Sequence, residues 1–365
     1  MEINANFECG NIIVEKFNDT EAELSIRPDS GAKFYQWFYF KVTGAPNAQR
    51  TFKIINASGA SYPRAWNGYH ALASHDDKDW FRVPTDYNGT SLIITHAAKE
   101  STTSYAFFVP YLSSHREALL RDCETSPLVS RRSIGKSVQG WSLDLIVVGD
   151  ERRPVKKIWV ISRQHAGEPM AEWATEGILR QLINPDDPVA RSILAKATFF
   201  VVPNLNPDGT ALGNLRANAN GVDLNRAWDK PSDKCPEIGA ALQAIQNSGV
   251  DFLFDMHGDE ERPFIWLSHP SVEQNPALQQ IQRQFETELG KRESSLGPAP
   301  QSIVSETGGE PGMSSNYFTK HFNCPVWIVE LPFKEPEGAP SGSLLAEGCM
   351  RVGRACIDVL NTLLT

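Results

Sequence analysis

The sequence predicts an α/β protein: a mixed, mostly parallel sheet flanked by helices, preceded by an antiparallel β-sandwich. Two observations predict it. Up to about residue 120 the chain offers short aromatic or β-branched runs separated by Gly, Pro, Asn and Asp clusters, with no long helical pattern. Further on, apolar runs of strand length alternate with stretches of helical periodicity, the pattern of a largely parallel sheet covered on both faces.

In order, residues 34–40, 91–95 and 105–109 read as strands of a first unit, 1–122. Residues 123–138, with Ser126-Pro127 and Ser130-Arg131-Arg132-Ser133, read as a polar connector. The second unit, 139–365, shows a strand at 157–162, then Pro169 opening a helix over 170–183. Strands at 197–202, 251–255 and 325–329 follow, with helices at 238–246, 277–289 and 344–364. No internal repeat or low-complexity segment is present.

With 365 residues, two domains are the soft expectation. Hydrophobic residues at 41% and charged residues at 22% suit a globular protein with a real core. No stretch approaches the roughly 20 apolar residues of a membrane span. The first residues, Met1-Glu2-Ile3-Asn4, lack the basic and apolar regions of a secretory signal. The six cysteines form no CxxC pair and read as reduced thiols of a cytoplasmic protein. A net charge of −9 argues against nucleic acid as a partner.

The chemistry sits just after each strand. Arg163-Gln164-His165-Ala166-Gly167-Glu168 follows the first strand of the second unit, Pro203-Asn204-Leu205-Asn206-Pro207-Asp208-Gly209 the next, Met256-His257-Gly258-Asp259 the third and Glu330-Leu331-Pro332 the fourth. In an open α/β sheet the ligand crevice lies at the carboxyl ends of the strands, so four strands deliver polar and metal-capable residues to one rim. Two histidines and carboxylates there suggest zinc, which takes imidazole and carboxylate and keeps a position open for water in a His₂Glu site. His-x-x-Glu occurs twice, at His165/Glu168 and His257/Glu260. His165, Glu168 and His257 are the favoured ligands, and the second pair stays open to the other assignment. Arg216 and the Asn225-Arg226 turn after Asp223 offer a guanidinium fork of the kind that grips a carboxylate.

The order His165-x-x-Glu168, Asn206-Pro207-Asp208-Gly209, Gly221-Val222-Asp223-Leu224-Asn225-Arg226, His257 and Glu330 resembles the zinc carboxypeptidases of the carboxypeptidase A type, over residues 155–360. Tyr35-Gln36-Trp37-Phe38-Tyr39-Phe40 and Val109-Pro110-Tyr111 resemble the β-domain that precedes the catalytic domain in the cytosolic carboxypeptidase subfamily. The resemblance implies one Zn²⁺ per chain on His165, Glu168 and His257. It implies Asp223 as hydrogen-bond partner of a ligand imidazole and Glu330 as general base. It also implies Arg216 as carbonyl polariser, Asn225 and Arg226 as the grip on the substrate's terminal carboxylate, and Ser315 beside its terminal side chain. The implied activity is removal of C-terminal amino acids from peptides or proteins by metal-activated water.

The family's loop tyrosine has no counterpart in 305–316, and Tyr317 falls on an aromatic core position. A pocket for acidic chain ends would need a basic group near Ser315, and Lys320 is the nearest candidate. The rival enzyme reading is an N-acyl amino acid amidohydrolase of the aspartoacylase or succinylglutamate desuccinylase type. Those proteins usually carry their extra domain after the catalytic one, whereas here it comes first. A non-catalytic binding module is the rival outside enzymes; the filled catalytic positions speak against it.

Overall fold

A computed structural model describes residues 1–270, 275–298 and 310–364. The first part contains β1 (Glu2–Asn4), β2 (Ile13–Phe17), β3 (Glu21–Ser25), β4 (Tyr39–Thr43), β5 (Gln49–Ile54), β6 (Leu72–Ser74), β7 (Trp80–Arg82), β8 (Thr85–Tyr87), β9 (Leu92–Ala97) and β10 (Thr102–Ala106). They form two five-stranded sheets, β1-β4-β10-β6-β7 and β2-β3-β5-β9-β8. Phe40 on β4 stacks on Tyr105 of β10 at 5.4 Å and meets Phe52 of β5 edge-on at 5.6 Å, joining the sheets as a sandwich. Pairing is antiparallel as expected, except that β3 and β5 run parallel.

The second part contains α1 (Ser113–Glu124), β11 (Val129–Lys136), β12 (Ser142–Val148), β13 (Lys156–Ser162), α2 (Pro169–Ile183), α3 (Pro188–Leu194), β14 (Ala197–Val202) and α4 (Pro207–Leu212). It continues through α5 (Pro236–Ser248), β15 (Phe252–Asp259), β16 (Trp266–Ser268), α6 (Pro276–Arg292), α7 (Ser314–Phe322), β17 (Val326–Pro332) and α8 (Ala346–Leu363). Its seven-stranded sheet has the order β11-β12-β14-β13-β15-β17-β16. The four central strands, β14, β13, β15 and β17, run parallel; β11, β12 and β16 are antiparallel to their neighbours. The central strands are almost wholly buried, which is why they read as continuous apolar runs.

The stretch read as a polar connector, 123–138, is a correction. It holds the end of α1 and then β11, which pairs with β12 from Val129↔Val148 to Lys136↔Ser142 with a bulge between Ser133 and Gly135. As an edge strand, β11 carries its charges outward: Arg131 pairs with Asp144 and Glu117, and Arg132 with Glu151. Charged edge strands hide the apolar alternation by which a strand is recognised.

The two parts share one core. Phe107 stacks on Phe333 at 4.3 Å, and a continuous set of buried apolar residues runs from the sandwich through α2 and α8. The other face of the large sheet buries Trp159, Phe200 and Trp228 against α5 and α7. Just beyond β17, Lys334 donates to the carbonyls of Ala65 (3.1 Å) and Asn67 (2.8 Å). Arg82 of the sandwich donates to Phe333 O (2.7 Å) and pairs with Glu335 (3.2 Å). Each fully buried large apolar side chain at such a seam contributes about 1.5–3 kcal/mol. Because β14 and β15 flank β13 on opposite sides, the carboxyl ends of these strands form the switch point where an open sheet places its crevice.

Candidate metal centre and active site

β13 ends in a turn that aims the first ligand. Arg163 adopts a left-handed backbone (φ 58°), uncommon for a residue with a side chain and tolerated where surroundings fix it. Here its buried guanidinium donates to Ala166 O (2.8 Å) and Glu172 Oε2 (2.5 Å). Gly167 presses on the next loop: its N–H donates to Leu215 O (2.6 Å), and a Cβ there would lie 2.8 Å from that oxygen. Pro169 then starts α2 with Glu168 at the capping position. On β15, Asp255 and His257 share a face by the period of two. The neighbouring Gly258 N–H donates to Glu168 Oε2 (3.0 Å).

These elements bring His165, Glu168 and His257 together, all buried. His165 Nδ1 lies 2.7 Å from Glu168 Oε1, His257 Nδ1 lies 3.0 Å from Glu168 Oε2, and the two Nδ1 atoms are 3.1 Å apart. Each imidazole backs its other nitrogen onto a carboxylate. His165 Nε2 is 3.3 Å from Asp223 Oδ1, and His257 Nε2 is 3.1 Å from Asp255 Oδ1. A proton on each Nε2 turns both Nδ1 lone pairs toward the Glu168 carboxylate. Three electron-rich donors facing one another inside the protein fit a cation. Two imidazoles and one carboxylate suit zinc, and the three donor atoms lie within 4.8 Å of one another.

The electrostatics agree. Burial alone would raise Glu168, but His165 and His257 outweigh it and hold the carboxyl well below its ordinary range. Burial would lower His257, yet Asp255 and Glu168 push it well above the usual imidazole value in the metal-free protein. Asp223 is likewise held down, against burial, by His165 and Arg216.

Glu330, on β17, stands directly opposite His257 in the parallel register. Burial raises its carboxyl well above the normal range; His257 opposes this, while Glu168, Asp259 and Asp255 add to it. Arg216 donates from Nε to Asp223 Oδ2 (2.6 Å), so Asp223 bridges a ligand imidazole and this guanidinium. Asn225 sits in a one-turn helix, Leu224–Arg226, capped by Asp223, with its Nδ2 3.4 Å from His257 Nε2.

Residues 3–108 match the family described as Cytosolic carboxypeptidase N-terminal domain, and residues 117–335 match Zinc carboxypeptidase. The chain belongs to the zinc carboxypeptidase family. A metallo-carboxypeptidase from Burkholderia cenocepacia superposes with a TM-score of 0.94 at 34% identity, over 100% of this chain and 98% of that one. A metallo-carboxypeptidase from Pseudomonas aeruginosa, solved with (2-guanidinoethylmercapto)succinic acid, gives 0.94 at 36% identity over 100% and 99%. Cytosolic carboxypeptidase 6 of Caenorhabditis elegans is 29% identical over 76% of this chain and 67% of its own length. This zinc carboxypeptidase is thus a metal-dependent hydrolase that removes residues from peptide C-termini.

The remaining expected residues of this zinc carboxypeptidase are more dispersed. Arg226 is a third exposed; its Nε pairs with Glu310 and its Nη1 donates to Asn225 O (2.9 Å). Ser315 is buried in the first turn of α7, beside Ser314, whose N–H donates to Asn225 Oδ1 (2.9 Å) and whose hydroxyl donates to Asp255. Lys320, five residues on, is about 140° round the helix and exposed, so it builds no basic pocket with Ser315. Tyr317 packs on His321 (4.5 Å) and Phe318 (5.5 Å) but is only partly buried, at the edge of the aromatic core rather than within it. Positions 305–309 of the loop lie outside the described residues.

Several site residues escaped the sequence. Asp255 was announced only by its spacing of two from His257 on a strand. Gln164 donates to Asp255 Oδ2 (2.5 Å) and accepts from Trp228 Nε1 (2.9 Å), fixing the carboxylate behind His257. Glu260 is buried beside the centre, and burial and then Glu168 push its carboxyl well up. It is not among the three atoms that converge, so the alternative ligand assignment is not supported. Tyr62 and Asp29 reach the site from the sandwich, and no local pattern marks either.

Proposed function

We propose that the chain hydrolyses the last peptide bond of peptides or proteins with one zinc ion held by His165, Glu168 and His257. Bound there, zinc lowers the pKa of a coordinated water to about 7 and polarises a carbonyl. The single observation that carries this reading is the register pair Glu330–His257, which sets a carboxylate of raised pKa beside the ligands. Glu330 takes the water's proton and hands it to the leaving amine; a carboxyl shifted toward neutrality suits both transfers. Arg216, steadied by Asp223, stabilises negative charge on the carbonyl oxygen. Asn225 and Arg226 receive the terminal carboxylate, Arg226 exchanging Glu310 for it, and this grip enforces action at chain ends. Ser315 flanks the departing side chain. The six cysteines, all buried and free, suit a cytoplasmic setting.

The test is hydrolysis of peptides differing only in their C-terminal residue, by zinc-loaded protein, with Glu330→Gln as control. Release of single C-terminal residues, lost in the control, is the expected result and also defines the preference. Zinc-loaded protein that leaves every peptide intact but cleaves N-acyl amino acids would overturn the assignment.

A further inference from the structure

Arg216 is held largely from outside the catalytic sheet. The backbone N–H groups of Leu215, Arg216 and Ala217 all donate to the buried carboxylate of Asp29, at 2.5, 2.8 and 2.8 Å. Its guanidinium lies over the Phe34 ring, 5.7 Å from the centroid. Nη1 donates to the hydroxyl of Tyr62 at 2.8 Å, and Nε to Asp223. Among the described residues Nη2 donates no hydrogen bond.

Tyr62 is itself fixed. Its N–H donates to Gln36 Oε1 (2.8 Å), and Gln36 Nε2 donates back to its carbonyl (3.1 Å), so a fully buried amide clamps the peptide from both sides. The short helix that follows, Pro63–Trp66, is tied by Lys334 to the strand bearing Glu330. Burial, then Glu260, pushes the phenol upward, so it stays a neutral hydroxyl at working pH.

We infer that Tyr62, from the N-terminal sandwich, is a positioning residue for peptide cleavage: its hydroxyl takes Nη1 while Asp223 takes Nε, leaving Nη2 as the edge of Arg216 offered to the scissile carbonyl oxygen. This rests on the role proposed above for Arg216. A guanidinium is planar, so two fixed edges fix the third. With only Asp223 as partner the plane could swing, and a donor must already be aimed where charge develops to lower the barrier. The sandwich is in this way part of the active site.

The test compares Tyr62→Phe with wild type in the zinc-loaded full chain, on the best peptide of the library. The ring remains and only the hydroxyl goes. The expected result is a kcat lower by about tenfold or more, with KM within about twofold and zinc content unchanged. In an Arg216→Ala background the same change costs less than about twofold, because its effect passes through Arg216. Wild-type turnover in Tyr62→Phe, or an equal loss in both backgrounds, overturns the inference. If the wild type cleaves no peptide, the peptidase assignment is what has failed. Nitrogen-15 NMR of the Arg216 guanidinium then decides: slow Nη–H exchange in wild type, accelerated in Tyr62→Phe, supports the positioning, and unchanged exchange refutes it.

Discussion

Glu172 supports the metal centre from beneath without touching it, and its removal gives a sharp prediction. The carboxylate is buried on α2 and accepts from Arg163 Nη1 (2.5 Å), Arg116 Nη1 (3.2 Å) and Asn204 Nδ2 (3.0 Å). Arg163 is 1% exposed and Arg116 8%, so Glu172→Ala strands two buried guanidiniums. Breaking a buried pair by deleting one partner costs about 3–5 kcal/mol. Unfolding entropy near 2.1 cal/mol/K per residue gives about 0.8 kcal/mol/K for a chain of 365 residues. The melting temperature should therefore fall by about 4–7 °C in calorimetry of metal-free protein. Glu172→Gln keeps an acceptor and the volume and should lose less. Arg163 also holds the carbonyl of Ala166, between the ligands His165 and Glu168, so zinc affinity should fall with stability. A loss below about 1 kcal/mol in Glu172→Ala would refute the reasoning, since that is the size of an exposed ion pair.

Other expectations follow from the same geometry. Asp255→Asn should weaken zinc binding about 10- to 100-fold in competition with a chelator, because the amide no longer fixes the His257 tautomer. Glu330→Gln should stabilise the metal-free protein by about 1–2 kcal/mol at pH 8, as removal of an active-site strain does. The folded-state pKa of Glu330 is raised, so the contribution of its carboxyl is fully present below the unfolded value and is lost as pH rises through the folded one. The stability gap between variant and wild type should therefore open with rising pH, and a gap that widens toward acid would contradict the assignment. Gly167→Ala must move backbone, because its Cβ would meet Leu215 O, Cα and C at 2.8, 2.9 and 3.2 Å. A destabilisation of about 1–3 kcal/mol, with weaker zinc binding, should appear in denaturant and chelator titrations.

What the sequence revealed depended on how locally each feature is encoded. His165, Glu168 and Pro169 lie in one loop between a strand and a helix, so their spacing carried the geometry. Asp255 was legible in principle, since a strand puts positions two apart on one face, but it closed the run 251–255, which read as a strand and nothing more. β11 was hidden because an edge strand alternates charge with apolar residues more weakly than a central one. Tyr62 and Asp29 lie 154 and 187 positions before the Arg216 groups they bind, a distance no motif bridges. Arg226 was found by its turn, but its pairing with Glu310 depends on how a separate loop folds back.

The seam between the two parts argues against treating the sandwich as an appendage. β17 carries Glu330, and its continuation through Phe333, Lys334 and Glu335 is tied to the sandwich at each residue: Phe107 on the ring, Arg82 on the carbonyl and carboxylate, Ala65 and Asn67 on the ammonium. Asp29, Phe34 and Tyr62 hold Arg216 on the other side of the cleft. Both groups proposed to act on the scissile bond are thus anchored across the seam, whereas the ligands His165, Glu168 and His257 all come from the second part, from the β13–α2 turn and β15. A chain beginning at residue 113 keeps α1, and with it the Arg116–Glu172 pair, but bares Phe333, strips Lys334 of its carbonyl partners and takes Arg82 from Glu335. Where such a fragment stays soluble it should still bind zinc while losing turnover far more than metal affinity. A truncated protein cleaving peptides within about tenfold of the full chain would mean the sandwich contributes no catalytic geometry, because a lost charge-stabilising donor alone costs about 10²-fold or more.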